Sequence, residues 1–194
     1  MQRYPVAYLL DGDAHFYSVV GMIQQLSQVN GNTICPEMII VGIPNTDRNR
    51  DLTPTHSDVD RSMGIDSSFS KISGGGKQFM AFIENELMPY INSTYPTQPY
   101  KSLIVHSFGG LMVMDALANH TKMFNSYICI DPGMWWDKMN FLKASEKALN
   151  EKNFEGKTLY LGIANTMEEG MDIKEVQKDS SIETRQIRSI LALD

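Results

Sequence analysis

Three serines stand in a Ser-x-Gly pattern: Ser62, Ser73 and Ser107. Ordinary residue frequencies supply about one such match by chance in a chain of this length, so only context separates them. Ser107 alone follows an apolar strand directly, with Leu103-Ile104-Val105-His106 before it and Phe108-Gly109-Gly110 opening a helical stretch. A sharp strand-to-helix turn there raises a serine hydroxyl above a sheet and brings the next backbone N–H, that of Phe108, toward a developing oxyanion. Gly109 and Gly110 allow the new helix to approach neighbouring strands closely. The same residues have a plainer use, in which Ser107 caps the helix and the glycines ease a tight crossover. Nucleophile and cap both stand as readings at this point.

A serine nucleophile needs a base within hydrogen-bond reach, because an unassisted hydroxyl is weak at neutral pH. The four histidines are His15, His56, His106 and His120. His106 adjoins Ser107 but is turned away by the backbone, and His120, after the next helix, belongs at the opposite end of the sheet. His15, His56 and His106 are candidates for substrate binding or orientation, and no histidine stands out as the base. Carboxylates placed to orient a histidine are Asp131, directly after an apolar strand, and Glu168, Glu169 and Asp172, which follow the last one. Trp135 and Trp136 follow a turn at the same end, so one is expected to line an acyl or aryl pocket while the other packs inward. No His-x-x-x-His or similar ligand spacing calls for a metal. Gly74-Gly75-Gly76 follows a polar segment and not a strand, which removes the context of a dinucleotide site. No cofactor is expected.

The elements that must position these residues are legible as alternating apolar runs and amphipathic stretches. Strands are expected at 4–10, 38–43, 102–105, 127–130 and 158–163, with Asp11-Gly12-Asp13 as a turn. Helices are expected at about 17–29, from 77 to near 91, at 108–119, at 141–151 and at 181–193. Residues 45–76 read as a long polar loop of the kind that covers or lines sites. The order implies an α/β fold, a three-layer α/β/α sandwich with a mostly parallel sheet, over one domain spanning 1–194. Its site lies beyond the carboxyl ends of the strands.

Composition narrows the function. Lys+Arg 17 against Asp+Glu 23 gives a net charge of -6, without the basic surface that nucleic acid requires. Cys35 and Cys129 are too few for a disulfide framework, and Cys129 sits in an apolar run as a small hydrophobe. No apolar stretch is long enough for a membrane span and no signal segment is visible, so a soluble, cytoplasmic chain without a membrane partner is expected.

The order of motifs resembles the putative esterase family of alpha/beta-hydrolases, which includes esterase D-like and enterochelin (ferric siderophore) esterase enzymes. The matching pieces are YPVAYLLDGDAHF at 4–16, PEMIIVGIPNTDRNRDLTPT at 36–55, GGG before a helix ending ENELMPYI at 84–91, LIVHSFGGL at 103–111 and FNSYICIDPGMWWD at 124–137. The resemblance implies an incomplete alpha/beta-hydrolase fold with Ser107 as nucleophile. It implies a second oxyanion N–H from Gly12 or Asp13, and an acyl-enzyme route for hydrolysing a small-molecule carboxylic ester. Arg48, Arg50 and Asp51 then form an ionic clasp over the cleft, or the arginines hold an anionic substrate. Asp131 stands where relatives more often carry serine. Val105 replaces the glycine that relatives place two positions before the nucleophile, and its Cβ is expected to crowd the turn. Relatives begin with further antiparallel strands and supply the histidine from a loop after a further strand. The expectation is a member truncated at both ends. The alternatives are a catalytically incomplete hydrolase-like fragment or binding domain, an acyltransferase, and a homodimer formed through exposed sheet edges.

Overall fold

The computed structural model describes residues 2–31, 33–164, 167 and 169–193. Five strands, β1 (Tyr4–Leu10), β2 (Ile39–Ile43), β3 (Thr97–His106), β4 (Ser126–Ile130) and β5 (Thr158–Gly162), form one sheet in the order β2-β1-β3-β4-β5. Every pairing is parallel. The helices are α1 (Gly12–Ser27), α2 (Arg48–Asp51), α3 (Ser67–Ile72), α4 (Gly76–Phe82), α5 (Met88–Thr94), α6 (Gly109–Asn119), α7 (Asn140–Glu151), α8 (Ile173–Lys178) and α9 (Arg185–Leu191). This is the α/β architecture that the alternating pattern implies.

Alternation along each strand makes one sheet face the core. Tyr8, Leu103 and Tyr127 lie in register across β1, β3 and β4 and are fully buried with Val6, Leu10, Val105 and Cys129. The buried Leu111, Met112, Val113 and Met114 of α6 join the same core. Phe124 meets the rings of Tyr8 and Tyr127 edge to face, each at 5.9 Å. Both hydroxyls are buried without a hydrogen-bond partner among the described residues, and burial pushes both phenols up to about 12. Cys129 packs beneath α6 with its sulfur 3.5 Å from the Gly110 carbonyl, and burial pushes its thiol up to about 12.

Several boundaries differ from the sequence reading. The Asp11-Gly12-Asp13 turn is one residue, since Asp11 takes a left-handed φ of 52° and α1 starts at once, five residues before the expected 17. The segment 45–76 is not one loop: it folds into α2, a 3-10 turn at Arg61–Met63 and α3. Its aspartates are caps, with Asp47, Asp60 and Asp66 accepting from the backbone N–H groups of Arg50, Ser62 and Ser68. β3 begins well before residue 102, because a register irregularity between Tyr4 and Val6 absorbs Pro99. α4 runs into α5 through a π turn at Ile83–Leu87. The last helix is shorter than expected, and α8 precedes it with a capping box of Asp172 and Glu175. Among the described residues, no helix is long and apolar enough to cross a membrane.

Candidate active site

β3 ends at His106 beside the end of β4, and Ser107 turns the chain straight into α6. Its N–H donates to the Ile130 carbonyl at 2.9 Å and its carbonyl accepts from Gly110 N–H at 2.8 Å. Its φ of 61° is a left-handed conformation that a non-glycine residue adopts at a cost, and it lifts the side chain off the strand end. Val105 stands close beneath this turn, as the expectation of crowding has it, and the turn is held with that left-handed φ. A Cβ on Gly109 would lie 1.9 Å from Val105 Cγ2, so the valine methyl occupies the space that the glycine leaves empty. The Ser107 hydroxyl is half-buried and makes no hydrogen bond among the described residues. Phe108, at the N-cap of α6, carries an N–H that the helix itself cannot satisfy.

β1 lies beside β3, with Leu9 opposite Ile104, which brings Asp11 and Gly12 alongside His106 and Ser107. Gly12 and Asp13 open α1, where backbone N–H groups are likewise left over by the helix. A Cβ on Gly12 would lie 2.6 Å from the Ile43 nitrogen, so only glycine lets α1 start this close to β2. Asp11 is buried and grips Arg48 in a fork: Arg48 Nε donates to Oδ1 at 2.7 Å and Nη2 to Oδ2 at 2.9 Å. Asn45 Nδ2 donates to Asp11 Oδ1 at 2.6 Å. Burial pushes this carboxyl up, but the hydrogen bonds from Arg48 and Asn45 and the charge of Arg48, with a smaller contribution from His15, outweigh it. The net effect lowers the carboxyl below its ordinary value. The Arg48 guanidinium lies over the Phe108 ring, 5.7 Å from its centre. A fixed positive charge therefore stands beside the residue that follows the serine.

The expected clasp of Arg48, Arg50 and Asp51 is corrected accordingly. Arg50 does pair with Asp51, Nε to Oδ1 at 2.7 Å, whereas Arg48 reaches across 37 positions to Asp11. Arg50 and Asp51 line a separate cavity of about 790 Å³ with Ile43, Pro44, Phe79 and Phe82. Sequence reasoning placed Asp11 at a strand end on the site side but gave it no role. Its one signal was an acidic residue ending a fully apolar strand.

His15 and His106 come together at the site, their rings edge to face with centres 5.9 Å apart. Neither is hydrogen-bonded to Ser107. His56 is taken up elsewhere, with Nδ1 3.3 Å from Ser73 Oγ and Nε2 3.9 Å from Asp58. His120 lies at the far end of α6 near Glu84 and Asp115. Trp136 is fully buried and donates from Nε1 to Thr55, while Trp135 stays partly exposed with its ring edge on Phe108. Phe69 completes this aromatic wall against Phe108 and Trp136.

Of the carboxylate candidates, Asp131 ends the strand next to Ser107, with a φ of 49°, and its Oδ1 accepts from the Ala164 N–H at 3.2 Å. Asp172 caps α8, which commits its carboxylate to Glu175 N–H. Glu169 is exposed in a turn, and Glu168 lies outside the described residues. Among the described residues, no group of three His, Cys, Asp or Glu is arranged to hold a metal ion.

Comparison with known proteins bears on this geometry. A family model described as Putative esterase matches residues 1–186. The chain is 26% identical over 153 residues to a siderophore enterobactin esterase of Emericella nidulans, covering 74% of this chain and 50% of that protein. It is 29% identical over 160 residues to the ferri-bacillibactin esterase BesA of Bacillus subtilis, covering 77% and 55%. The chain thus spans about half the length of these curated relatives. An IroE-like serine hydrolase of Shewanella oneidensis superposes with a TM-score of 0.82 at 36% identity, over 96% of this chain and 57% of that one. The match over nearly the whole chain, on a parallel sheet with a strained serine at the turn into α6, places this protein in the esterase family of alpha/beta-hydrolase type.

Proposed function

We propose that the chain carries the nucleophile and the oxyanion site of a carboxylic ester hydrolase. The observation that carries this reading is Ser107 at φ 61°, followed by Phe108, whose ring lies under a guanidinium that a buried aspartate holds in place. Ser107 Oγ adds to the ester carbonyl carbon as its proton passes to a base. The carbonyl oxygen becomes an oxyanion, facing the Phe108 N–H, the uncommitted N–H groups of Gly12 and Asp13, and the Arg48 charge. Collapse of this intermediate breaks the bond to the alcohol, which leaves with a proton, and the acyl group stays on Ser107. Water then repeats the sequence and frees the acid. Asp11 acts through Arg48 and is a positioning residue. Trp135 and Phe108 offer an apolar wall to the acyl or alcohol part of the substrate. The names of the curated relatives favour siderophore esters as the substrate class.

A second reading, a hydrolase-like binding domain, is favoured by one observation: no base is hydrogen-bonded to the Ser107 hydroxyl among the described residues. Hydrolysis of short-chain p-nitrophenyl esters by the chain and by Ser107→Ala separates the two. Turnover that disappears in the variant supports the hydrolase, and equal background rates support the binding domain. Acyl transfer to an added alcohol, followed in the same assay, tests the acyltransferase alternative.

A further inference from the structure

A cleft of about 570 Å³ lies between the 3-10 turn at Arg61–Met63, the segment before α9 and α9 itself. It is lined by Ser62, Met139, Ser180, Ser181, Arg185 and Arg188. Two of its lining side chains are guanidinium groups, in a chain of net charge -6. Neither guanidinium is within ion-pair distance of a carboxylate among the described residues. Arg188 donates to two main-chain carbonyls, that of Asp179 and, at 2.8 Å, that of Ser181. Carbonyls are neutral, so its charge is oriented without being cancelled. The Arg185 side chain has no partner at all among the described residues. The nearby acid, Asp179, keeps its charge but pairs with neither guanidinium among the described residues: its carboxylate accepts from the hydroxyls of Ser181 and Thr184 and from the N–H groups of Ser180 and Ser181. These bonds, led by the one from Ser181, hold that carboxyl well below its usual range.

The residues of the cleft are tied to the candidate active site through their neighbours. Gln186, next to Arg185, donates from Nε2 to the carbonyls of Asp131 and Pro132, both at 3.0 Å. Asp131 directly follows Ile130, whose carbonyl holds the Ser107 N–H. Met139 folds back on the tryptophan pair, its N–H donating to the carbonyl of Trp136 at 3.0 Å. We infer that this cleft is an anion subsite, in which Arg185 and Arg188 receive a carboxylate or phosphate group carried by the ester substrate. Arg188 is oriented by its carbonyl contacts, and Arg185 is the residue free to meet the anion. The assignment to substrate rests on the hydrolase reading, whereas the binding of the anion does not.

The test is calorimetric titration of the chain at low ionic strength with inorganic phosphate and, separately, with glutarate. Arg185→Gln and Arg185→Lys are titrated alongside, with thermal unfolding as the control for folding. Binding of either probe is expected, and the preferred one identifies the anion. Arg185→Gln is expected to weaken it about tenfold or more, the worth of one charge-assisted hydrogen bond, and Arg185→Lys to retain most of it. No binding of either probe, or equal binding by a folded Arg185→Gln, overturns the subsite. Retained binding in a chain whose ester turnover does not depend on Ser107 overturns the hydrolase reading and leaves the anion site standing.

Discussion

Val105 and Gly109 divide one small space beneath the serine turn, and the pair explains how the elbow tolerates a valine. A methyl added to Gly109 meets Val105 Cγ2 at 1.9 Å. Gly109→Ala is therefore expected to destabilise the chain by about 1–3 kcal/mol. Adding Val105→Gly, which empties the space, is expected to recover part of that loss, so chemical denaturation of the two single variants and the double variant should show non-additivity. Arg48 and Asp11 make a second residue-scale prediction. Arg48→Ala should lower ester turnover by roughly a hundredfold, in the range for losing one oxyanion donor. Asp11→Asn should follow it, mainly in kcat, because the guanidinium loses its charged anchor. The lowered Asp11 carboxyl stabilises the fold at pH above its unfolded value of about 3.9, and that contribution is lost as pH falls through the folded value. Acid unfolding of Asp11→Asn should accordingly be less steep than that of the parent chain. The strand-to-helix turn at Ser107 was legible because its signal is local, a strand, a serine and two glycines in sequence. The Asp11–Arg48 pair was not, because residues 37 apart meet only once β1 and β2 are in register.

At the scale of elements, the apolar strands announced themselves and the polar segment did not. Residues 45–76 lack hydrophobic periodicity, yet Asp47, Asp60 and Asp66 each close a short helical turn by accepting from the backbone. Helices of four to six residues carry too few side chains for a period to show, so caps are their main sequence signal. α8 was missed for the same reason. Its Asp172–Glu175 capping box predicts that Asp172→Ala costs about 1 kcal/mol, read as a lowered denaturation midpoint, without the loss of turnover that an acid partner of the site would produce. The core offers the opposite test. The hydroxyls of Tyr8 and Tyr127 are buried without partners among the described residues, so Tyr8→Phe or Tyr127→Phe should leave stability unchanged or raise it by about 1 kcal/mol. A loss of stability on either change would mean that the hydroxyl is satisfied in solution.

At the scale of the whole molecule, the sheet is covered unevenly. The face holding Tyr8, Leu103 and Tyr127 is sealed, while on β4 and β5 Ile130 and Tyr160 remain 39% and 61% exposed. Both β2 and β5 are edges. Such surface favours association, so sedimentation velocity should show growth in mass with concentration, and Tyr160→Lys should reduce it. The parallel order and the family were foreshadowed by the motif order from 4–16 to 124–137, since the motifs at 4–16, 36–55, 103–111 and 124–137 each span a strand and the turn that follows it. The central claim is that Ser107 is an activated nucleophile, and covalent labelling tests it most directly. After incubation with a fluorophosphonate, intact-mass and peptide analysis should find one adduct, on Ser107, that is absent from Ser107→Ala. An unlabelled chain, or an adduct that survives the substitution, would contradict the account.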